Sequence, residues 1–259
     1  MNYFIVLAIV VFFYMTFWFV ISLIKKRNDV ADVAWGLGFV FLAWISLAIS
    51  QNFEITNLLI DLLVTIWGLR LSYHIYQRHR KGGEDYRYFK YRKTWGKWFY
   101  IRSFLQVYIL QGLLLFIIAT PILIANKFST EYFGLFQVLG LLIWITGFYF
   151  ESVADAQLAR FIKDPANKGK LMMQGLWEYS RHPNYFGEVL QWLGIWVMVL
   201  SLPYGLWGVV SPLVITFLIL KVSGIPMLEE KMSEHPDFAE YKKKVSCFIP
   251  LPPKRSSSQ

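Results

Sequence analysis

Seven apolar stretches, most of them near the roughly 20 residues a bilayer demands, punctuate this chain. They lie at about 3–24, 33–50, 57–77, 104–125, 132–152, 184–201 and 205–224. A backbone crossing hydrocarbon must satisfy its own hydrogen bonds, so such stretches fold as helices. The expected fold is therefore all-α: a polytopic bundle of about seven transmembrane helices in one membrane domain over residues 1–259. Composition agrees, at 56% hydrophobic, 19% aromatic and only 17% charged residues. That excludes a disordered chain and speaks against an ordinary soluble domain. The first stretch lacks a basic leader and a small-residue cleavage site. It is also too long for a signal-peptide core, and so reads as a retained span.

The charges fix an orientation. The net charge is +9, and nearly all of the 26 Lys and Arg residues fall in segments 25–32, 78–103 and 153–183 and in the tail after Gly224. Lys127 alone falls on the other side, while Arg70 and Lys221 lie inside spans. Basic residues gather on the cytosolic side of membrane proteins, which places the N-terminus outside and the C-terminus in the cytosol. An even number of spans would break the pattern. This explains the positive charge better than nucleic acid does. The expected location is a cell membrane, the inner membrane of a bacterium.

The segment Gly175–Trp192, GLWEYSRHPNYFGEVLQW, carries polar residues into the sixth span. Pro183 suits a first helical turn, where its missing N–H is harmless. Asn184, Glu188 and Gln191 then stand at i, i+4 and i+7 on one helical face, with Arg181 near its N-terminal end. A carboxylate and two amides within a span are costly, and function is the default reading.

Other spans end in similar groups. Arg70, His74, Gln77 and Lys81 share a face on the third, and the loop KGGEDYRYFKYRK follows it. The fifth ends in Glu151 and Asp155. The second starts with Asn28, Asp29 and Asp32, of which Asn28 or Asp29 is expected as an N-cap and Asp32 points inward. Lys221 reads as snorkelling. The tail repeats Phe238, Tyr241 and Val245 beside Lys242–Lys244, as a helix lying on an anionic surface would. One cysteine, Cys247, and four scattered histidines give no metal-ligand spacing, so no metal is expected. Arg and Lys suit phosphate, Asn, Asp and Glu suit ribose hydroxyls, and Trp177, Tyr179, Tyr185 and Trp192 suit a flat ring. That is a dinucleotide's chemistry without a Rossmann loop.

The stretch GLWEYSRHPNYFGE resembles the C-terminal signature of the membrane steroid 5α-reductase superfamily. Sterol reductases share a similar RHPNYxGE element, and isoprenylcysteine carboxyl methyltransferases a looser one. ADAQLARFIKDPANKGKLMMQGLW, FAEYKKKVSCFIP and WGLRLSYHIYQRHRKGGEDYRY extend the similarity over most of residues 28–250. Residues 104–250 would form the reductase-like part, 1–103 an N-terminal three-helix part with a basic loop, and 251–259 a flexible tail.

The resemblance implies a bundle that encloses NADPH from the cytosolic side and reduces a carbon–carbon double bond conjugated to a carbonyl in a lipidic or steroid-like molecule. It implies cofactor contacts at Asn184, Glu188, Arg181, His182, Asp155, Arg78, Arg87 and Lys163. Candidate proton donors are Tyr185, Tyr179 and Asp32. Where the steroid reductases carry a substrate-polarising Tyr on the third span, this chain holds Trp67; the second-span acid is Asp32 or Asp29. Two other readings fit these features: methyl transfer from S-adenosylmethionine to a lipid-linked thiol, and a non-catalytic lipid-binding protein in which the polar groups join helices.

Overall fold

The computed structural model describes residues 2–80, 84–129, 131 and 133–254. Lys81, with the two glycines of KGGED, and the last five residues lie outside them. The described residues are helical apart from loops and one isolated bridge, Ser180 with Ser246. Among the described residues, six helical runs are long and apolar enough to cross a membrane: Tyr3–Lys25, Val30–Ser50, Ile55–Arg80, Tyr86–Ile118, Leu135–Lys163 and Gly205–Met232. The protein is an all-α polytopic membrane protein. The remaining expected span is a 17-residue helix, at the short end of what a bilayer requires.

The chain divides into two compact units: Met1–Gly134 with Val199–Val210, and Leu135–Met198 with Ser211–Gln259.

The first unit starts with α1 (Tyr3–Lys25), capped by the Asn2 side chain, which accepts from the Phe4 N–H at 3.0 Å. Helices α2 (Val30–Ser50) and α3 (Ile55–Arg80) cross so closely that a Cβ on Gly36 would stand 2.7 Å from the Gly68 carbonyl oxygen. The expected basic loop 78–103 is largely helical. It holds α4 (Tyr86–Trp95), capped by the Asp85 side chain, and the short α5 (Phe99–Arg102). The expected single span 104–125 is broken. Ser103–Ile109 is π-helical, α6 covers Leu110–Ile118, and α7 (Thr120–Phe128) restarts with Pro121 in its first turn. Proline's ring and missing N–H end a helix running into it, and here the chain turns at Ala119.

In the second unit, α8 runs from Leu135 to Lys163, well past the expected end at 152. Glu151 and Asp155 are therefore mid-helix residues. Helix α9 (Pro183–Val199) lies antiparallel to α8 along two glycine contacts, Gly140 with Gly194 and Gly147 with Gly187. A Cβ on Gly187 would come within 2.5 Å of both the Glu151 nitrogen and the Gly147 oxygen, so the helices meet backbone to backbone. After α10 (Val210–Phe217), a π-helical turn leads to α11 (Ile225–Met232) and α12 (Phe238–Lys244).

The apolar stripe of α12 does not face a membrane. Phe238, Tyr241 and Val245 are buried against Leu171 and Met232, and the Tyr241 hydroxyl donates to the Trp177 carbonyl at 2.6 Å. Burial of the stripe within the protein leaves Lys242–Lys244 on the outer side.

Candidate functional site

The glycine contacts between α8 and α9 bring the polar faces of the two helices into register. Asn184 donates its amide to Asp155 Oδ1 at 3.1 Å, and the Gln191 amide donates to Glu151 Oε2. Two turns of α9 therefore match two carboxylates of α8, as the i, i+4, i+7 spacing anticipates. The other atoms of the amides are different. Asn184 Oδ1 and Gln191 Oε1 are buried acceptors that meet no donor among the described residues. A buried acceptor without a donor costs about 1–3 kcal/mol, which a ligand's N–H or O–H would recover. Glu188, half-buried, stands on the same face.

Just before α9, Arg181 is engaged inside the protein. Its Nε and Nη2 donate to Glu229 Oε1 at 2.7 and 2.6 Å. Its Nη1 donates to the carbonyls of Val245 at 2.6 Å and Lys242 at 3.3 Å. The Arg181 backbone N–H donates to the Ser246 carbonyl at 2.9 Å. Residues 242–246 are thus tied to the entrance of α9 by one residue, Arg181, through its side chain and its backbone N–H. Lys242 Nζ lies 3.5 Å from Glu229 Oε2. His182 is buried beside this group, with Nε2 3.4 Å from Glu229 Oε1, and its ring stacks on Tyr185 at 5.9 Å between centroids. Burial pushes its pKa down to about 4, more than the neighbouring Glu229 carboxylate raises it. Burial and that same carboxylate push the Cys247 thiol up.

A shallow polar groove of about 390 Å³ opens at the end of α8, lined among others by Gln157, Arg160, Asp164, Asn167 and Gln174. Gln157 Oε1 accepts from the Leu176 N–H at 3.0 Å. Lys163, one turn beyond Arg160, is exposed, as is Tyr179.

The first unit carries its own cluster. Asp29 precedes α2 without capping it; its carboxylate instead accepts from Arg27 at 3.1 and 2.7 Å and from the Asp85 N–H at 3.2 Å. Asp32 points inward and accepts from Arg87 Nη2 at 2.7 Å and from the Tyr88 hydroxyl at 2.8 Å. Burial opposes the charge of Asp85, but hydrogen bonds from the Arg87 side chain and backbone outweigh it and hold the carboxyl below its ordinary range. Asn28 is buried, and its N–H donates to Glu84 Oε1 at 2.7 Å. Arg78 is exposed at the end of α3.

Among the described residues, two triads present ligand-type atoms within 4.8 Å of one another, His182–Glu229–Cys247 and Asp32–His79–Asp85. In each, an arginine already neutralises a carboxylate: Arg181 on Glu229, and Arg87 on both aspartates. A cation would have to displace it.

The sequence reading missed Glu229, Cys247, Tyr88 and Arg160. Tyr88 and Arg160 stand in segments it quoted, and one helical turn separates Arg160 from Gln157. Nothing local marks Glu229 or Cys247.

A family model described as "Protein of unknown function (DUF1295)" matches residues 18–245. An uncharacterized protein of Schizosaccharomyces pombe, C594.04c, is 28% identical over 256 residues, covering 88% of this chain and 72% of its own. Steroid 5-alpha-reductase DET2 of Arabidopsis thaliana is 38% identical over 64 residues, a quarter of each chain (25% and 24%). Its Gossypium hirsutum counterpart is 39% identical over 62 residues, 24% of each chain. No solved structure matches. The chain belongs to the DUF1295 family, the steroid 5-alpha-reductase-like membrane proteins.

Proposed function

We propose that this protein is an NADPH-dependent reductase of a carbon–carbon double bond in a lipidic or steroid-like enone, working within the membrane. The observation that carries the reading is the pair of buried acceptors on α9, Asn184 Oδ1 and Gln191 Oε1, held in place by carboxylates of α8. The carboxamide N–H groups and ribose hydroxyls of a nicotinamide nucleotide are donors of the kind these atoms lack. The similarity to plant steroid 5-alpha-reductases supports the same reaction class.

Asn184, Glu188 and Asp155 would hold the cofactor's sugar and ring. Arg160 and Lys163, at the end of α8, would take its phosphates. Arg181 and His182 would act at one remove, fixing the entrance to α9 through Glu229 and residues 242–246. When bound, NADPH would supply a hydride to one carbon of the double bond. Tyr185 would donate a hydrogen bond to the enone oxygen as the enolate develops and then give its phenolic proton to the α-carbon. The tyrosinate would regain a proton from water on product release, while the apolar helices would exclude water from the hydride step. Tyr185 follows Asn184 on α9, whereas Tyr179 is exposed. Both carboxylate oxygens of Asp32 are engaged within the first unit, by Arg87 and by Tyr88.

The test is anaerobic incubation of the detergent-purified chain with NADPH and a panel of steroid and linear lipid enones. The proposal expects NADPH consumption matched by a product two hydrogens heavier. No oxidation with any enone, alongside methyl transfer from S-adenosylmethionine to a prenylated thiol, would contradict it.

A further inference from the structure

Helix α1 and the segment from α5 into the π-helical turn enclose an open apolar groove of about 610 Å³, lined by Phe19, Leu23, Tyr100, Ile101, Phe104 and Leu105. Its size falls within the roughly 300–1,000 Å³ of small-molecule pockets. A π-helical turn widens the helix and shifts the side chains that follow. Here it begins at Ser103, and the Phe104 ring rests on Phe19 with centroids 5.0 Å apart as one wall.

Basic residues adjoin the groove's lining in sequence. Leu23 is followed by Lys25 and Lys26 at the end of α1, and Ile101 by Arg102. Arg92 ties the two sides together: its Nη2 donates to the Lys26 carbonyl at 3.4 Å, and its guanidinium lies 4.1 Å above the Phe99 ring. Arg92 itself is neutralised by Glu84 at 3.0 Å. Lys25, Lys26, Lys97 and Arg102 are exposed and enter no ion pair among the described residues. Trp98 and Tyr100 are more than half exposed beside them, the aromatic belt of a membrane interface. Any apolar face in a bilayer meets acyl chains. This one is a groove whose lining is adjoined in sequence by cations without counter-charges, on the side the charge rule assigns to the cytosol.

We infer that the groove is a site for an anionic glycerophospholipid of the cytosolic leaflet. An acyl chain would lie along Phe19, Leu23, Ile101 and Leu105. The phosphate would be held by Lys26, Lys97 and Arg102. Clustered basic residues at a membrane surface bind anionic headgroups, each contributing a share of the attraction. The inference does not depend on the reductase reading.

The experiment titrates delipidated full-length protein in detergent with dioleoylphosphatidylglycerol or dioleoylphosphatidylcholine and counts bound lipid by native mass spectrometry. The wild type should bind phosphatidylglycerol about tenfold more tightly than phosphatidylcholine. Lys97→Gln/Arg102→Gln should lose that preference while keeping its melting curve and its phosphatidylcholine binding. Leu23→Trp, which fills the groove, should weaken both lipids. Equal affinity of the wild type for the two lipids would overturn the site. So would a preference that survives in Lys97→Gln/Arg102→Gln.

Discussion

Arg181 and Glu229, 48 residues apart in sequence, meet through two N–H groups on one carboxylate oxygen. The same guanidinium donates to the Val245 and Lys242 carbonyls. The arginine of the RHPNY segment thus anchors Glu229, Lys242 and Val245 to the first turn of α9, where Asn184 stands.

Removing this arginine leaves Glu229 with Lys242, 3.5 Å away, as its nearby lysine. Breaking a buried pair from one side costs up to about 3–5 kcal/mol, of which Lys242 offsets a part. Arg181→Leu should lower the Tm in detergent accordingly and open residues 233–254 to proteolysis. Arg181→Leu/Glu229→Leu should recover much of the Tm, because the carboxylate left by the single variant is gone and Lys242, its other partner, is exposed. Equal Tm loss in the single and double variants would show that packing, not charge pairing, carries the anchor.

His182 gives the fold a pH dependence with a definite sign. Its pKa of about 4 in the folded protein lies below the ordinary value of 6.5. The unfolded chain therefore binds the proton more readily. Stability is fully present above pH 6.5 and declines as the pH falls from there toward 4. His182→Gln should flatten that part of a plot of Tm against pH. Glu229, Arg181 and Cys247 face the imidazole, so Glu229→Gln should extend the decline to lower pH by removing the carboxylate that favours the charged ring. An unchanged slope in His182→Gln would assign the transition to another group.

The α8–α9 crossing depends on having no side chain at Gly187. A Cβ there meets the Glu151 nitrogen and Gly147 oxygen at 2.5 Å. Gly187→Val should force the helices apart at a cost of about 1–3 kcal/mol or more. It should also separate Asn184 from Asp155. Thermal melts of the variant give the first effect and cofactor titration the second; an unaltered Tm would mean the crossing has slack.

How much of this was legible in the sequence depended on separation along the chain. The shared face of Asn184, Glu188 and Gln191 follows from helical spacing, and the matching carboxylates Glu151 and Asp155 stood out against an apolar run. Their charge, however, made the fifth span look finished near residue 152, whereas the helix simply continues to Lys163. Glu229 gave no signal, because its partner lies 48 residues away. The stripe Phe238, Tyr241, Val245 was correctly periodic but wrongly assigned to lipid. Periodicity reveals that a face is buried and is silent on what buries it. Tyr88 sat in a segment read as a loop, and only the Asp85 cap and the folded α4 turn its hydroxyl toward Asp32.

The proton-donor assignment separates binding from chemistry. Tyr185→Phe should reduce kcat by about 10²–10⁴. Its NADPH affinity should stay within about twofold, since the lost hydroxyl acts in the transition state. Turnover at the wild-type rate would remove Tyr185 from the reaction and leave the cofactor site standing.

The most direct measurement of the central claim is titration of the purified wild type and Asn184→Ala with NADPH and, separately, with S-adenosylmethionine. The account expects the wild type to bind NADPH, and Asn184→Ala to bind it at least about tenfold more weakly, about 1.4 kcal/mol, with its Tm retained. Binding of S-adenosylmethionine in place of NADPH, or NADPH affinity unaffected by Asn184→Ala, would contradict it.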